Sequence, residues 1–183
     1  DDDSFGSAVS LNGAGDRLAV GAAQADGSGN SINKTGEVHL FRFTDTDFSG
    51  GSLEGTIGDG FSFGKSVNMS GALDDSDEFG DAISLNAAGD RLAVGATAAD
   101  GSTNSSNFLG EVHLFSFTDS DFSGGSLEGT IGSGFSFGKS VDMSGKLGSY
   151  DSFGSAVSLN GAGDRLAVGA AGADGPGDIS SGS

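Results

Sequence analysis

Two stretches of the chain set oxygen-bearing side chains at alternating positions ahead of a glycine. They are TDTDFSGGSLEG (residues 44–55) and TDSDFSGGSLEG (residues 118–129). Asp45, Asp47 and Ser49 precede Gly50 in the first; Asp119, Asp121 and Ser123 precede Gly124 in the second. This is the ligand rhythm of half a calcium loop, in which hard oxygens alternate before a glycine turn. The other half is misplaced. Counted from Asp45, the bidentate glutamate of an EF-hand belongs at the twelfth position, where Thr56 stands, and Glu54 falls two residues short. Asp-rich hairpin turns also form without metal, because the carboxylate accepts hydrogen bonds from its own backbone. Calcium ligation and a plain acidic turn are therefore both open at these six residues.

The other candidates for chemistry are weaker. Asp74, Asp75, Asp77, Glu78 and Asp81 form a denser acidic cluster, but the corresponding later stretch, GSYDSFGS, keeps only Asp151. A solvated acidic turn is expected there. His39 and His113 have no second histidine nearby, which leaves zinc without a ligand set and predicts packed, hydrogen-bonded strand histidines. Gly13-Ala14-Gly15 lies in a glycine-rich run, yet a dinucleotide fingerprint requires a strand, GxGxxG and then a helix. Serines are plentiful, but no GxSxG elbow accompanies them. The reading is a protein that is not an enzyme and requires no cofactor, with calcium as the one candidate ion.

Cations are scarce: eight Lys and Arg stand against 26 Asp and Glu, for a net charge of −18. That balance argues against nucleic acid, whose binding needs a basic surface, and against anionic membranes. Arg17, Arg91, Arg165, Lys65 and Lys139 nevertheless occupy recurring positions. Fixed cations in an acidic chain predict fixed carboxylate partners, and the three arginines are read as structural ion pairs. The sharper alternative is an anion or substrate site at each arginine. Cysteine is absent, so disulfides play no part. No apolar run reaches the length of a membrane span, and no membrane insertion is expected.

What must position these residues is a repeat. GDRLAVGA occurs three times, at 15–22, 89–96 and 163–170, and its surroundings recur with it. The expected organisation is unit 1 at 1–78, unit 2 at 79–152 and a partial unit 3 at 153–183, a fragment of a longer array. Alternating apolar residues predict strands nearly everywhere. SAVSLN and RLAVGA pair across an Asn-Gly-Ala-Gly turn as a hairpin, GEVHLFRFT makes a long strand, and SLEGTIG a shorter one. FSFGKSVNMSG adds a further extended ribbon, and no segment shows helical spacing. Differences between units collect in the loops at 23–35 and 97–109, where Lys34 becomes Phe108 and creates the apolar loop pair Phe108-Leu109. Such a pair either tucks onto a neighbouring unit or faces a partner.

The order Phe5-Gly6, then LAVGA at 18–22, then GEVHLF at 36–41 resembles the FG-GAP blades of integrin α-subunit propellers. It is also similar to FG-GAP-like arrays in large bacterial surface proteins. The same order recurs at Phe79-Gly80, 92–96 and 110–115. The resemblance implies an all-β chain of tandem 74-residue repeats, each a four-stranded antiparallel blade in a β-propeller-like array. The alternative is an open β-solenoid or rod of stacked sheets. Two departures matter. The family's GAP motif ends in proline, where this chain has GAA or GAT, and its DxDxDGxxD calcium loop is replaced by LNGAGDR or LNAAGDR. Calcium is therefore not carried over to that hairpin, and Arg17 is expected to supply internally the charge that the cation supplies in the family.

Closed propellers need four to eight blades, more than two and a half units provide. The expectation is thus a fragment of a larger propeller, an assembly with copies of itself, or an open rod. Functionally the resemblance implies an extracellular, cell-surface repeat protein: a structural scaffold, adhesin or filament component. It would act by self-association and by loops presented to other cell-surface proteins or glycans. The alternative is a calcium- or carbohydrate-binding module.

Overall fold

Asn12 builds the first hairpin. Its side-chain oxygen accepts hydrogen bonds from the backbone N–H groups of Asp16 and Arg17, both at 3.1 Å, while its amide nitrogen donates to Asp16 Oδ1 at 2.9 Å. Asn86 and Asn160 make the same turn in the later repeats. A side chain that satisfies the corner's donors fixes where one strand stops and the next begins.

The computed structural model describes residues 3–30, 32–45, 47–104 and 107–174; the rest of the expected third unit, 175–183, lies outside the described residues. The chain is all-β, with no helix among those residues. The first sheet contains β1 (Phe5–Leu11), β2 (Arg17–Ala22), β3 (Glu37–Arg42), β4 (Ser52–Gly58) and β5 (Val67–Asn68), neighbours in that order. The first four strands run antiparallel, with Val9 opposite Val20, Leu18 opposite Phe41 and Val38 opposite Ile57. The ribbon expected after the fourth strand joins the sheet as β5, parallel to β4, so each full sheet has five strands. The second sheet repeats the plan with β6 (Phe79–Leu85), β7 (Arg91–Ala96), β8 (Glu111–Ser116), β9 (Ser126–Gly132) and β10 (Val141–Asp142). A third sheet holds two strands, β11 (Phe153–Leu159) and β12 (Leu166–Ala170). None of the three sheets closes into a barrel.

The sheets lie face against face. β6 packs on β1 and β2, and β11 packs on β6 and β7. Polar threads tie the innermost strands: Leu85 N–H donates to Ser10 Oγ at 2.9 Å, and Leu159 N–H donates to Ser84 Oγ at 2.9 Å. The approach is close because of glycine. A Cβ at Gly21 would lie 2.0 Å from the carbonyl oxygen of Gly80, and one at Gly95 would lie 2.1 Å from that of Gly154. The Gly-Ala that ends β2 and β7 is thus where one sheet's backbone meets the next.

Most of the core is the layer between the first two sheets. Ala19, Val38, Leu40 and Ile57 from the first meet Phe79, Ile83, Leu85, Leu92, Phe115, Phe117 and Phe122 of the second, with Met69 and Leu73 beside them. Position in the stack, not residue type, decides burial. Phe5 is 60% exposed on the outer face of the first sheet, whereas its counterpart Phe79 is fully buried under that sheet. Val9 and Leu11 are exposed in the same way, whereas Ile83 and Leu85 are buried.

The acidic cluster at 74–81 corrects one expectation. Asp77 is not solvated: it is 5% exposed, accepts a hydrogen bond from Asp74 N–H at 2.8 Å, and lies near Glu111 and His113. Burial is the main cause that pushes its carboxyl up to about 7. The charge run is local, but the walls that bury this member come from the next unit's strands. Phe108 stacks on Tyr150 of its own unit with ring centroids 5.5 Å apart, and both rings stay exposed.

Candidate functional site

The two Asp-Phe turns have the same internal construction. Asp45 Oδ1 accepts from the N–H groups of Asp47 (2.9 Å) and Ser49 (3.1 Å), and Asp119 Oδ1 accepts from Asp121 (2.8 Å) and Ser123 (3.1 Å). Those donors, Ser123 foremost, hold the Asp119 carboxyl below its ordinary range. Thr44 and Thr118 each close their turn by donating N–H and Oγ–H to the carbonyl of Ser49 and Ser123. The following phenylalanine is left-handed in both, with φ of 60° at Phe48 and 63° at Phe122. It folds edge-on against the phenylalanine that enters the turn, Phe43 or Phe117, with centroids 5.3 and 5.1 Å apart.

Among the described residues only one of the two turns is docked on another sheet. The second crosses to the first sheet, where Asp121 meets three cations. Arg17 reaches the Asp121 carboxylate with Nη2 and donates from Nε to the Ser120 carbonyl at 2.7 Å. Arg42 Nε stands 3.5 Å from Asp121 Oδ1, and Lys65 Nζ donates to the Asp121 carbonyl at 2.5 Å. Arg17 also pairs with Asp16 at 3.0 Å. Lys65 is fixed from behind by Glu54 at 2.7 Å, and that bond is the main cause holding the Glu54 carboxyl low. Phe122 is fully buried beside Phe117, and a Cβ at Gly125 would lie 2.6 Å from Val67 Cγ2 of β5. Charge at the turn's tip and an aromatic ring behind it thus plug one sheet into the other.

Each half of this joint recurs without its mate. Phe48, on the first turn, is 61% exposed. On the second sheet, Arg91 and Lys139 stand where Arg17 and Lys65 do, with Glu128 in place of Glu54, but the position of Arg42 is taken by Ser116. Lys139 and Glu128 pair at 2.8 Å. That bond, followed by bonds from Ser116 and Ser126, lowers the Glu128 carboxyl to about 2. Arg91 stays near Asp90, 3.6 Å away, and its side chain is 40% exposed against 6% for Arg17. A cavity of about 410 Å³ opens here, between Arg91, Phe115, Glu128 and Lys139 on one side and Leu159 and Arg165 of the last hairpin on the other. Arg165 is exposed on that hairpin's rim.

Of the residues singled out from sequence, the structure brings together Arg17 and Asp121 across a separation of 104 positions. Asp45, Asp47 and Ser49 sit on an exposed turn, apart from both arginines of the later repeats. Among the described residues no group of three or more His, Cys, Asp or Glu is arranged to hold a metal ion. His113 is buried, with Nδ1 3.1 Å from Thr130 Oγ1 and Nε2 2.9 Å from Glu111 Oε1. Sequence reading missed Phe122 as the docking ring and Glu54–Lys65 as the brace behind the joint. The joint recurrence of Glu54 with Lys65 and of Glu128 with Lys139 is the signal that pointed to the brace. No protein-family model matches the chain, and no curated protein matches it.

Proposed function

We propose that this chain is a non-catalytic extracellular scaffold built from FG-GAP-like, propeller-type blades. Its work is geometric: stacked sheets hold one another in register and present their loops to other surface proteins, glycans or sister chains. The observation that carries the reading is the docked turn. Asp121 and Phe122 spend their charge and apolar surface on the neighbouring sheet, which suits a structural joint rather than a reaction centre. Arg17 stands inside that joint as its buried cation, the role the resemblance leaves to calcium in related blades.

Thermal melting with calcium and with chelator tests the proposal against a calcium-binding module. A ligand at a hundred times its Kd adds about 2.7 kcal/mol to stability. In a chain of this size each kcal/mol moves the melting temperature by roughly 2–4 °C. The scaffold reading expects the two melts to coincide; a calcium-dependent rise of several degrees refutes it in favour of calcium ligation at the Asp45 and Asp119 turns.

A further inference from the structure

We propose that the small acidic cavity between the first unit's closing loop and the second sheet binds a primary alkylammonium group, the head of a lysine side chain or of a free amine.

The cavity measures about 110 Å³ and lies in the middle of the chain, walled by residues of both full units. Four acids line it: Asp74 and Asp77 from the loop before β6, Asp100 from the loop between β7 and β8, and Glu111 at the start of β8. The lining holds no Lys or Arg. Each acid is held in place by the protein. The Asp74 carboxylate accepts from the Asn104 amide, and Asp77 Oδ2 accepts from Asp74 N–H at 2.8 Å. Asp100 Oδ1 accepts from the N–H groups of Asn107 and Phe108, both at 2.7 Å. Glu111 Oε1 lies 2.9 Å from His113 Nε2. Apart from His113 these donors are neutral, so they fix the acids without balancing their charge.

Glu111 carries the observation that calls for a ligand. The residue is 2% exposed, and its Oε2 is buried with no hydrogen-bond partner among the described residues. A buried carboxylate oxygen without a donor is costly, and beside it burial and the facing carboxylates already push Asp77 up to about 7. A cation that donates hydrogen bonds relieves both. No three His, Cys, Asp or Glu among the described residues are arranged to hold a metal ion. An ammonium group needs no such shared centre, because its three N–H donors reach separate acceptors. The rest of the wall suits a hydrocarbon stem: Ala72, Ala99 and the half-buried Phe135 stand beside the acids. An aromatic ring also attracts a cation. A compact ammonium on an apolar stem therefore matches both parts of the cavity.

The test is a nuclear magnetic resonance titration of the 183-residue chain at pH 8, where Asp77 is charged. An alkylamine, with a pKa of about 10.4, is still protonated there. The probes are n-butylammonium chloride and Nα-acetyl-lysine N-methylamide, each against tetramethylammonium chloride at equal ionic strength. A chain of net charge −18 attracts any cation, and tetramethylammonium, which has the charge but no N–H, measures that background. The ammonium probes should give saturable shifts at the amides of Asp77, Gly101 and Glu111, and bind at least about tenfold more tightly than tetramethylammonium. Saturation by the lysine derivative assigns the head to a lysine side chain; saturation by n-butylammonium alone assigns it to a free amine. Asp77→Asn and Glu111→Gln keep the shape of the wall and remove its charge. Each should weaken binding by about tenfold or more, with circular dichroism unchanged. Shifts that fail to saturate, equal binding of tetramethylammonium, or binding that survives both substitutions overturns the proposal. None of these outcomes touches the scaffold reading, which the calcium melt decides.

Discussion

Phe48 and Phe122 are the same residue in the same turn, and their environments differ only by what lies across from them. That makes them a controlled pair. Truncating Phe122 to alanine empties a fully buried ring site against Phe117 and the first sheet. Large-to-small changes of this kind cost about 3–5 kcal/mol, the transfer loss plus the cavity left behind. Truncating Phe48 removes a ring that is 61% exposed and keeps mainly its edge contact with Phe43. An edge-on aromatic pair contributes about 0.5–1.5 kcal/mol, so the expected loss is near 1 kcal/mol or less. The assay is urea unfolding followed by far-ultraviolet circular dichroism, at protein concentrations low enough to keep the chain monomeric. The midpoint should fall far more for Phe122→Ala than for Phe48→Ala. Equal losses would refute the claim that the second turn is docked and the first is not.

Two further outcomes follow from single positions. Gly21→Ala forces a methyl to within 2.0 Å of a backbone carbonyl of the next sheet, and should destabilise by about 2 kcal/mol or more. Gly169→Ala, at the equivalent position of the last hairpin, meets first the Ala156 methyl at 3.3 Å and should stay within about 0.5 kcal/mol of the parent. Similar costs in thermal melts would show that sheet stacking does not depend on the glycine. Asp77 sets a pH dependence with a definite sign. Its folded value of about 7 exceeds its ordinary 3.8, because burial opposes the charge and the Glu111 and Asp74 carboxylates add to that, against the Asp74 N–H hydrogen bond and a smaller pull from His113. The native state therefore holds a proton that the unfolded chain has lost, and stability falls as pH rises from about 4 to 7. Asp77→Asn removes that slope, and at pH 8 the variant should be more stable than the parent by about 2–4 kcal/mol. Parallel pH–stability curves for the two proteins would refute the assignment.

Much of the fold is legible from letters because strands and corners are local events. The alternation in RLAVGA, the asparagine that opens each hairpin turn and the glycine that lets two backbones touch are all visible within a few residues. The ends of long-range contacts are not. TDSDFSGG differs from TDTDFSGG only by Ser120 for Thr46, yet Phe122 is buried and Phe48 is exposed. The difference comes from the sheet that each one faces. Arg17 could be assigned a carboxylate partner from the scarcity of cations, but not Asp121, because repetition offers the same candidate at Asp47. Asp77 went astray for the same reason in reverse: a charge run measures local composition, and the burial of one of its members depends on the strands of the following unit.

Identical letters with unequal environments also explain why the stack has a direction. The joint pairs the turn of the later unit with the cations of the earlier one, so its two surfaces differ and are not self-complementary. Duplication extends such an array without inventing a new interface, because each new unit brings both halves of the joint. The same Arg17, Lys65 and Asp121 chemistry that holds the first two sheets together therefore recurs as Arg91, Lys139 and Asp47, on surfaces that no neighbouring sheet fills among the described residues.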